Sequence, residues 1–458
     1  MAHRSLGGNR TGPAPGFTTC SVSGSVQDPR VVTVLRGAVT LAIPSRRTRI
    51  ALLLYLGCMV GIHSGIWFAA REGVATGYQD FTIFYSASQI VRQGMGHHLY
   101  DEAVEWRIQH EVAPHVASRK AALPYMHAPY EVLAFLPFSF FSYGKAYVLW
   151  NLTNLAILAA LPALLKPHLP ALQHYRSPLW VLSFLAFFPV FLTMLEGQDV
   201  ILLLLLYTLA FVALKKNAWF SAGCWLALGL FRFQLVAPFL LVMLLKKKWK
   251  LLAGSLLTAA GLAMISAAII GWQGVIRYPH YIWSLEHHLG RSILPPRDSA
   301  NLRGLIEQVF SSWASQSVIL IVVIAASAGA ILLLLRKWHC IHQDESQQLD
   351  LIFSLTLLVT LLVSYHGMLY DFTLLLLPVL VVLNRILLVR PSARSARIGP
   401  LAPIAVFFFS PLYLLLWYRH WEQSNLMALV VIAWAIALSR EISCHRPAGN
   451  SRPAGDAI

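Results

Sequence analysis

Residues 50–88, "IALLLYLGCMVGIHSGIWFAAREGVATGYQDFTIFYSAS", decide the fold class. The first 21 of them, 50–70, carry no acid, lysine or arginine. A bilayer core about 30 Å thick takes roughly 20 apolar helical residues to cross, so this run reads as a membrane span. The composition says the same of the whole chain. Of 458 residues 57% are hydrophobic and only 12% charged, against about a quarter charged in soluble proteins. Mean hydropathy is +0.61. The expected class is an all-α, polytopic membrane protein.

The 36 Lys and Arg against 20 Asp and Glu suggest a nucleic-acid partner only until their positions are read. They fall in short clusters between apolar runs: "RRTR" 46–49, "KK" 215–216, "KKKWK" 246–250, "RKWH" 336–339 and "RPSARSAR" 390–397. Cationic loops of this kind stay cytoplasmic. Apolar spans start near residues 49, 145, 178, 199, 250, 313, 350, 369, 399 and 424, and residues 218–245 hold two shorter runs broken at "FRFQ", a tight helical hairpin. About 12 crossings result by the same ruler. With the N-terminus inside, every basic cluster is cytoplasmic, and two large loops, 71–144 and 272–312, lie outside. The run 130–141 is short and broken by Pro137, so it is read as re-entrant or interfacial. Residues 1–45 and 441–458, rich in Gly, Pro, Ser and Arg, read as disordered cytoplasmic tails flanking a 46–440 membrane domain. The N-terminus lacks the layout of a cleaved signal peptide.

Several chemistries are set aside. Cys58 and Cys224 lie in spans, and Cys20, Cys340 and Cys444 on the cytoplasmic side, so no disulfide is expected. No zinc-ligand spacing and no GxxxxGK[ST] or GxGxxG loop is present. No outside carboxylate cluster is visible, so neither a metal nor another cofactor is expected.

Asp80 follows the first span by about ten residues and precedes Phe81, Phe84 and Tyr85, whose spacing makes one apolar helical face. Such a helix would lie in the interface plane. Two readings of Asp80 stand: a helix N-cap, or a general base at the membrane surface. One base suits one reaction class. Glycoside hydrolysis needs two carboxylates because a sugar alkoxide must be protonated as it leaves. A glycosyl phosphate leaves without that proton, so transfer from it needs one base and groups that stabilise phosphate.

The D-F-x-x-F-Y-x-A pattern at 80–87 running into "GHHLYDE" resembles the first outside loop of glycosyltransferase family 87. "YMHAPYEVLAFLPFSFFSYGKAYVLWNLTNL" is similar to that family's tyrosine-and-proline-led segment, "GQDVILLLLL" to its Gly-Gln turn, and "FRFQLVAPFLLVMLLKKKW" to its basic residue and hairpin. "NLRGL" and "SYHGMLYDFTLLLLP" resemble its later outside elements. The resemblance spans about residues 50–440. It implies a GT-C type membrane fold and transfer of a hexose, mannose, from a polyprenyl-phosphate donor to a lipid or glycan acceptor, with inversion. It implies Asp80 as base and Tyr125 and His127 among the substrate-binding residues. The family's proline doublet reads "HAPY" here and its hairpin lysine reads Arg232, which bears on donor preference.

The other candidates each have a plainer reading. Arg232 either binds phosphate or snorkels to the interface; Gln234 contacts the same head group or serves its turn. Gln198 either bonds sugar hydroxyls or, with Asp199, caps a helix. His366, Tyr370 and Asp371 share one outside turn, where Asp371 is either site or cap. Asn301 and Arg303 are acceptor or phosphate contacts or ordinary loop residues. Asp101 is read as a helix start, and Tyr278, Tyr281 and Trp283 as interfacial anchors. The partners expected are the lipid-linked donor, the acceptor and the bilayer, with no nucleic acid, in a bacterial plasma membrane. The competing function is a carrier or flippase for a lipid-linked or anionic solute, against which stand the long first loop and the lack of an inverted repeat.

Overall fold

In the computed structural model, α1 (Arg46–Thr76) buries only Leu56, Met59 and His63 against the protein. Leu54 and Phe68, 69% and 67% exposed, face outward as a lipid-contacting span requires. The structure describes residues 46–77, 79–113, 122–288, 298–339, 346–388, 395–418 and 425–442. The tail expectations for 1–45 and 443–458, and those for Cys20, Cys340 and Cys444, lie outside these.

Gly77, at φ +83°, ends α1, and α2 (Phe81–Arg92) follows at once. α2 is covered by protein rather than lying bare on a surface. Every residue from Phe84 to Ile90 is buried, enclosed by α3 (Glu102–Val112), by α4 (Tyr143–Leu165) and by one-turn helices at Val132–Phe135 and Leu136–Phe140, which follow another at Pro129–Glu131. Ser86, Ala87 and Ser88 are small and so admit neighbours closely. Gln89 Nε2 donates to Ser139 O at 2.8 Å and Ser88 Oγ to Tyr85 O at 2.7 Å. Phe84 stacks on Phe135 at 4.5 Å, and Phe135 packs on Trp150 at 4.4 Å. Residues 130–141 form only these short turns, none long enough to cross a bilayer.

Two apolar helix pairs are sharply bent. α5 (Ser177–Ala186) and α6 (Phe188–Glu196) meet at 74°. The bend in the pair α15 (Ser395–Phe407) and α16 (Ser410–Tyr418) is 62°. His63 of α1 reaches both breaks, with Nδ1 2.8 Å from Leu185 O and Nε2 2.8 Å from Ser410 Oγ. A backbone carbonyl and a hydroxyl at membrane depth are satisfied in this way.

The segment 219–248 folds back on itself. α8 (Trp219–Leu228) and α9 (Phe233–Leu245) are joined by a 3-10 turn, Gly229–Arg232, and the Lys248 ammonium lies 4.5 Å over the Trp219 ring. Its two ends therefore meet on one side, with Arg232 at the tip. α7 (Val200–Lys215), about 24 Å long at 1.5 Å per residue, runs between the same two levels. At its far end Lys215 donates to Asp350 of α13 (Ser346–Val363) at 2.6 Å. Lys248 also faces Trp338 of α12 (Gln316–His339). Basic chain ends thus gather at one pole and Asp199 and Arg232 at the other. The remaining helices are α10 (Trp249–His288), kinked at Gly271, α11 (Leu302–Phe310), α14 (Leu376–Leu388) and α17 (Met427–Glu441).

Among the described residues, six helices are long and apolar enough to cross a membrane, or eight if each bent pair is one span. The expected twelve are not reached by this measure. Hydropathy counts apolar runs; Val200–Lys215 and Gln348–Val363 are apolar helices of fewer than 18 residues, and the hairpin Trp219–Leu245 enters the six as one stretch although it folds back on itself.

Candidate active site

The turn Gly197–Gln198–Asp199, between α6 and α7, organises the site. Gly197 ends α6 in the left-handed region, at φ +66°, where glycine alone is unstrained. Trp150 Nε1 donates to its carbonyl at 3.0 Å, and the Tyr147 hydroxyl donates to Leu195 O at 2.7 Å. A Cβ on Gly197 would lie 2.6 Å from Phe81 Cβ. That contact sets the start of α2 directly on the turn and brings Asp80 beside Gln198.

Asp80 makes no side-chain cap to α2. Its Oδ2 accepts from Gln198 Nε2 at 2.7 Å, and its N–H donates to Glu196 Oε2 at 3.4 Å. The Gln198 carbonyl oxygen in turn accepts a short bond from Arg232 Nη2. One amide thus ties a partly exposed carboxylate to a guanidinium that is only 3% exposed.

Each nitrogen of Arg232 makes a hydrogen bond. Nε donates to Asp199 Oδ1 at 2.6 Å and Nη1 to Asp371 Oδ1 at 2.9 Å, while the guanidinium lies 5.3 Å from the centroid of Tyr370. Snorkelling is excluded by this burial. The two readings of Asp371 turn out to be compatible, since its Oδ2 accepts the Met368 N–H at 2.8 Å while Oδ1 holds Arg232. Two carboxylates offset the Arg232 charge, so it is not the uncommitted cation that the sequence suggested.

A third wall comes from the loop before α4. The Tyr125 hydroxyl donates to Glu131 Oε2 at 3.2 Å. His127 Nδ1 lies 2.9 Å from Glu131 Oε2 and 3.5 Å from Asp199 Oδ2, and its ring meets Phe84 edge-on at 4.9 Å. Here the expectation that no carboxylate cluster exists is corrected: Glu131, Asp199 and Asp371, from three separate segments, converge on Arg232 and His127. Burial lowers His127 to about 4, although Asp199 pulls it up. Burial also raises Glu131 to about 7 and Asp199 to about 7, in both cases against the pull of Arg232. Glu131 was hidden in the apolar run "YEVLAF". Asp199 reads locally as a cap, yet it makes no capping bond.

The remaining candidates gather elsewhere or stand apart. Asn301 caps α11 through Gly304 N–H, at 3.0 Å, and donates to Ser364 O at 2.8 Å, a structural role. Arg303 lies 4.1 Å over the Tyr365 ring, against which His366 packs edge-on at 4.9 Å. Gln234, in the first turn of α9, is partly buried and joins none of the bonds above. Asp101 caps α3, accepting from Ala103 N–H at 3.0 Å.

An integral membrane bundle with a buried acid–arginine network capped by one more exposed carboxylate agrees with the resemblance of its sequence motifs. No curated protein and no solved structure matches the chain. Glycosyltransferase family 87 matches it over residues 125–365, more than half of its length, and the chain therefore belongs to that family of membrane glycosyltransferases.

Proposed function

We propose that the chain moves a hexose, mannose, from a polyprenyl-phosphate donor to a hydroxyl of a lipid or glycan acceptor on the non-cytoplasmic face of the membrane, with Asp80 as the base. The observation that carries this reading is the Asp80–Gln198–Arg232 chain of hydrogen bonds. It holds one partly exposed carboxylate at the edge of a buried polar network. The acceptor O–H proton passes to Asp80 as its oxygen attacks the anomeric carbon. The bond from that carbon to the phosphate oxygen breaks, its electron pair leaving with the phosphate, and attack from the opposite face inverts the centre.

Tyr370 and Asp371 frame the network, and Tyr125 and His127 line the opposite wall. Arg303 and His366 serve the phosphate in this reading, because Arg232 is already balanced by two acids. A cavity of about 170 Å³ lies between Ala128, Pro129, Tyr130 and Leu230 and the α10 residues Leu262 and Ser266. It starts within two residues of Glu131 and Arg232 and suits the first isoprene units of a lipid-linked donor. The pole opposite the site bears Lys215 and Lys248, which supports a site on the side away from the cytoplasm. Family membership favours transfer over the carrier reading.

The test is Asp80→Asn with labelled mannose on its polyprenyl carrier. Loss of a general base costs about 10²–10⁴-fold, so transfer should fall by that much while expression and thermal stability hold. Unchanged incorporation would remove Asp80 from the mechanism.

A further inference from the structure

We infer that His127, Glu131 and Asp199 form a binding site for one divalent cation, of the Mn²⁺ type. The inference adds a ligand to the site discussed above; the binding itself stands without the transfer reading, and only the role of the ion in phosphate departure rests on it.

Three observations carry it. The first is geometric. One ligand atom from each residue lies within 4.8 Å of the other two. Atoms bound about 2.1 Å from a common ion sit about 3.0 Å apart along an octahedral edge and about 3.4 Å apart along a tetrahedral one. The His127 Nδ1 separations from Glu131 Oε2 and Asp199 Oδ2, 2.9 and 3.5 Å, fall at these edges.

The second is polar satisfaction. Glu131 and Asp199 are 2% and 0% exposed, yet Glu131 Oε1, Asp199 Oδ2 and His127 Nδ1 have no hydrogen-bond partner among the described residues. His127 Nδ1 and Glu131 Oε2 approach to bonding distance without the alignment of a hydrogen bond. Buried orphan acceptors are rare and costly. An ion bound by Asp199 Oδ2, His127 Nδ1 and Glu131 Oε2 would satisfy the first two, which are otherwise orphaned.

The third is charge. Among the described residues, Arg232 pairs with Asp199 and Asp371 but not with Glu131, whose ion-pair partner is His127. A buried carboxylate with only an imidazole beside it is one that a low-dielectric site tolerates poorly. A divalent ion supplies the missing partner. Two carboxylates with one imidazole suit a metal that accepts both oxygen and nitrogen, which favours Mn²⁺ over Ca²⁺ or Mg²⁺. With only three protein ligands, positions remain for a phosphate oxygen.

The experiment titrates Mn²⁺ into chelator-stripped, detergent-solubilised full-length protein without donor. Binding is read by calorimetry and by thermal shift, and the nitrogen ligand by pulsed electron paramagnetic resonance. One ion per chain, a raised melting temperature and coupling to one imidazole nitrogen are expected. In His127→Ala the nitrogen coupling should vanish. His127→Ala and Glu131→Gln should each weaken binding by at least the roughly 10–100-fold that loss of a supporting partner costs a metal site. Asp80→Asn should bind Mn²⁺ as the wild type does, which separates this result from the transfer assay. No Mn²⁺ binding to the wild type, or binding that survives both ligand substitutions, overturns the inference and leaves a proton shared between Glu131 and Asp199 as the account of the cluster.

Discussion

Replacing Gly197 by alanine tests how the turn positions Asp80. Two costs follow from the structure. At φ +66° an alanine adopts a left-handed conformation at about 1–2 kcal/mol. Its Cβ would meet Phe81 Cβ at 2.6 Å, about 1 Å inside the ordinary carbon–carbon contact. Phe81 is 0% exposed, with ring centroids of Tyr147 and Tyr143 at 5.5 and 5.6 Å. It cannot swing aside, and the clash falls on its Cβ, so the backbone next to Asp80 must move. Overpacking of this kind costs about 1–3 kcal/mol, for a total of about 2–5 kcal/mol. A shift near 1 Å at a reacting group costs about 10²-fold in rate. Gly94 is the control: it has φ +76° but nothing within 4 Å of its would-be Cβ. Gly94→Ala should therefore show the conformational cost alone, with transfer unchanged. Both variants are compared by unfolding in detergent and by mannose transfer. If Gly197→Ala matches Gly94→Ala in stability and rate, the turn does not set the position of Asp80.

Glu105 is buried in α3, and its pKa is raised to about 8, first by burial and then by Glu102 and Asp101, against the bond it accepts from Tyr125 N–H. Its folded pKa lies above the unfolded value of 4.5, so stability is lost as pH rises between the two. Glu105→Gln keeps the acceptor and cannot ionise; its melting temperature should exceed the wild type's by a margin that widens up to about pH 8, at no more than about 1.4 kcal/mol per pH unit. A margin constant in pH would count against a buried, titrating Glu105. Lys215 and Asp350, with side chains 9% and 10% exposed, pair at 2.6 Å. Lys215→Met should cost about 3–5 kcal/mol and Lys215→Met with Asp350→Leu much less, as unfolding curves would show; an equal loss in both would argue against the pair. Asp101→Ala should cost about 0.5–2 kcal/mol through loss of the α3 cap, and Asp101→Asn little; equal losses would place the role of Asp101 in its charge.

The class was legible because a bilayer imposes one length and one composition on every span, and both are local properties. The hairpin was legible for the same reason: "FRFQ" interrupts two runs too short to cross. Burial of α2 was not. A 3.6-residue pattern shows that Phe81, Phe84 and Tyr85 share a face, but Ser86 and Ser88 read as polar while being small enough to pack, as Ala87 is. The site divides along the same line. Asp80, Gln198, Arg232, Tyr370, Asp371, Tyr125 and His127 were singled out and the fold brings them together, whereas Asn301 is taken up by a cap and Gln234 stays apart. Glu131 and Asp199 gave no local signal, because only tertiary structure distinguishes an acid that caps a helix from one that meets an arginine 33 residues away.

That distinction changes the chemistry assigned to Arg232. Read along the chain, an arginine between two apolar runs is an uncompensated cation, and phosphate is its natural ligand. In the fold it donates to Asp199, Asp371 and Gln198, so its charge is spent before any substrate arrives. Its geometry still matters. By fixing the carbonyl end of Gln198, Arg232 directs the amide nitrogen at Asp80 and so orients the carboxylate without competing for the phosphate. For the proposed sugar-phosphate donor, phosphate stabilisation must then come from elsewhere. The two proposed sources are Arg303 at the Tyr365 turn and an ion held by His127, Glu131 and Asp199. They differ in what they require. The first works with the protein's own charges and weakens with salt, whereas the second needs an ion and disappears with a chelator.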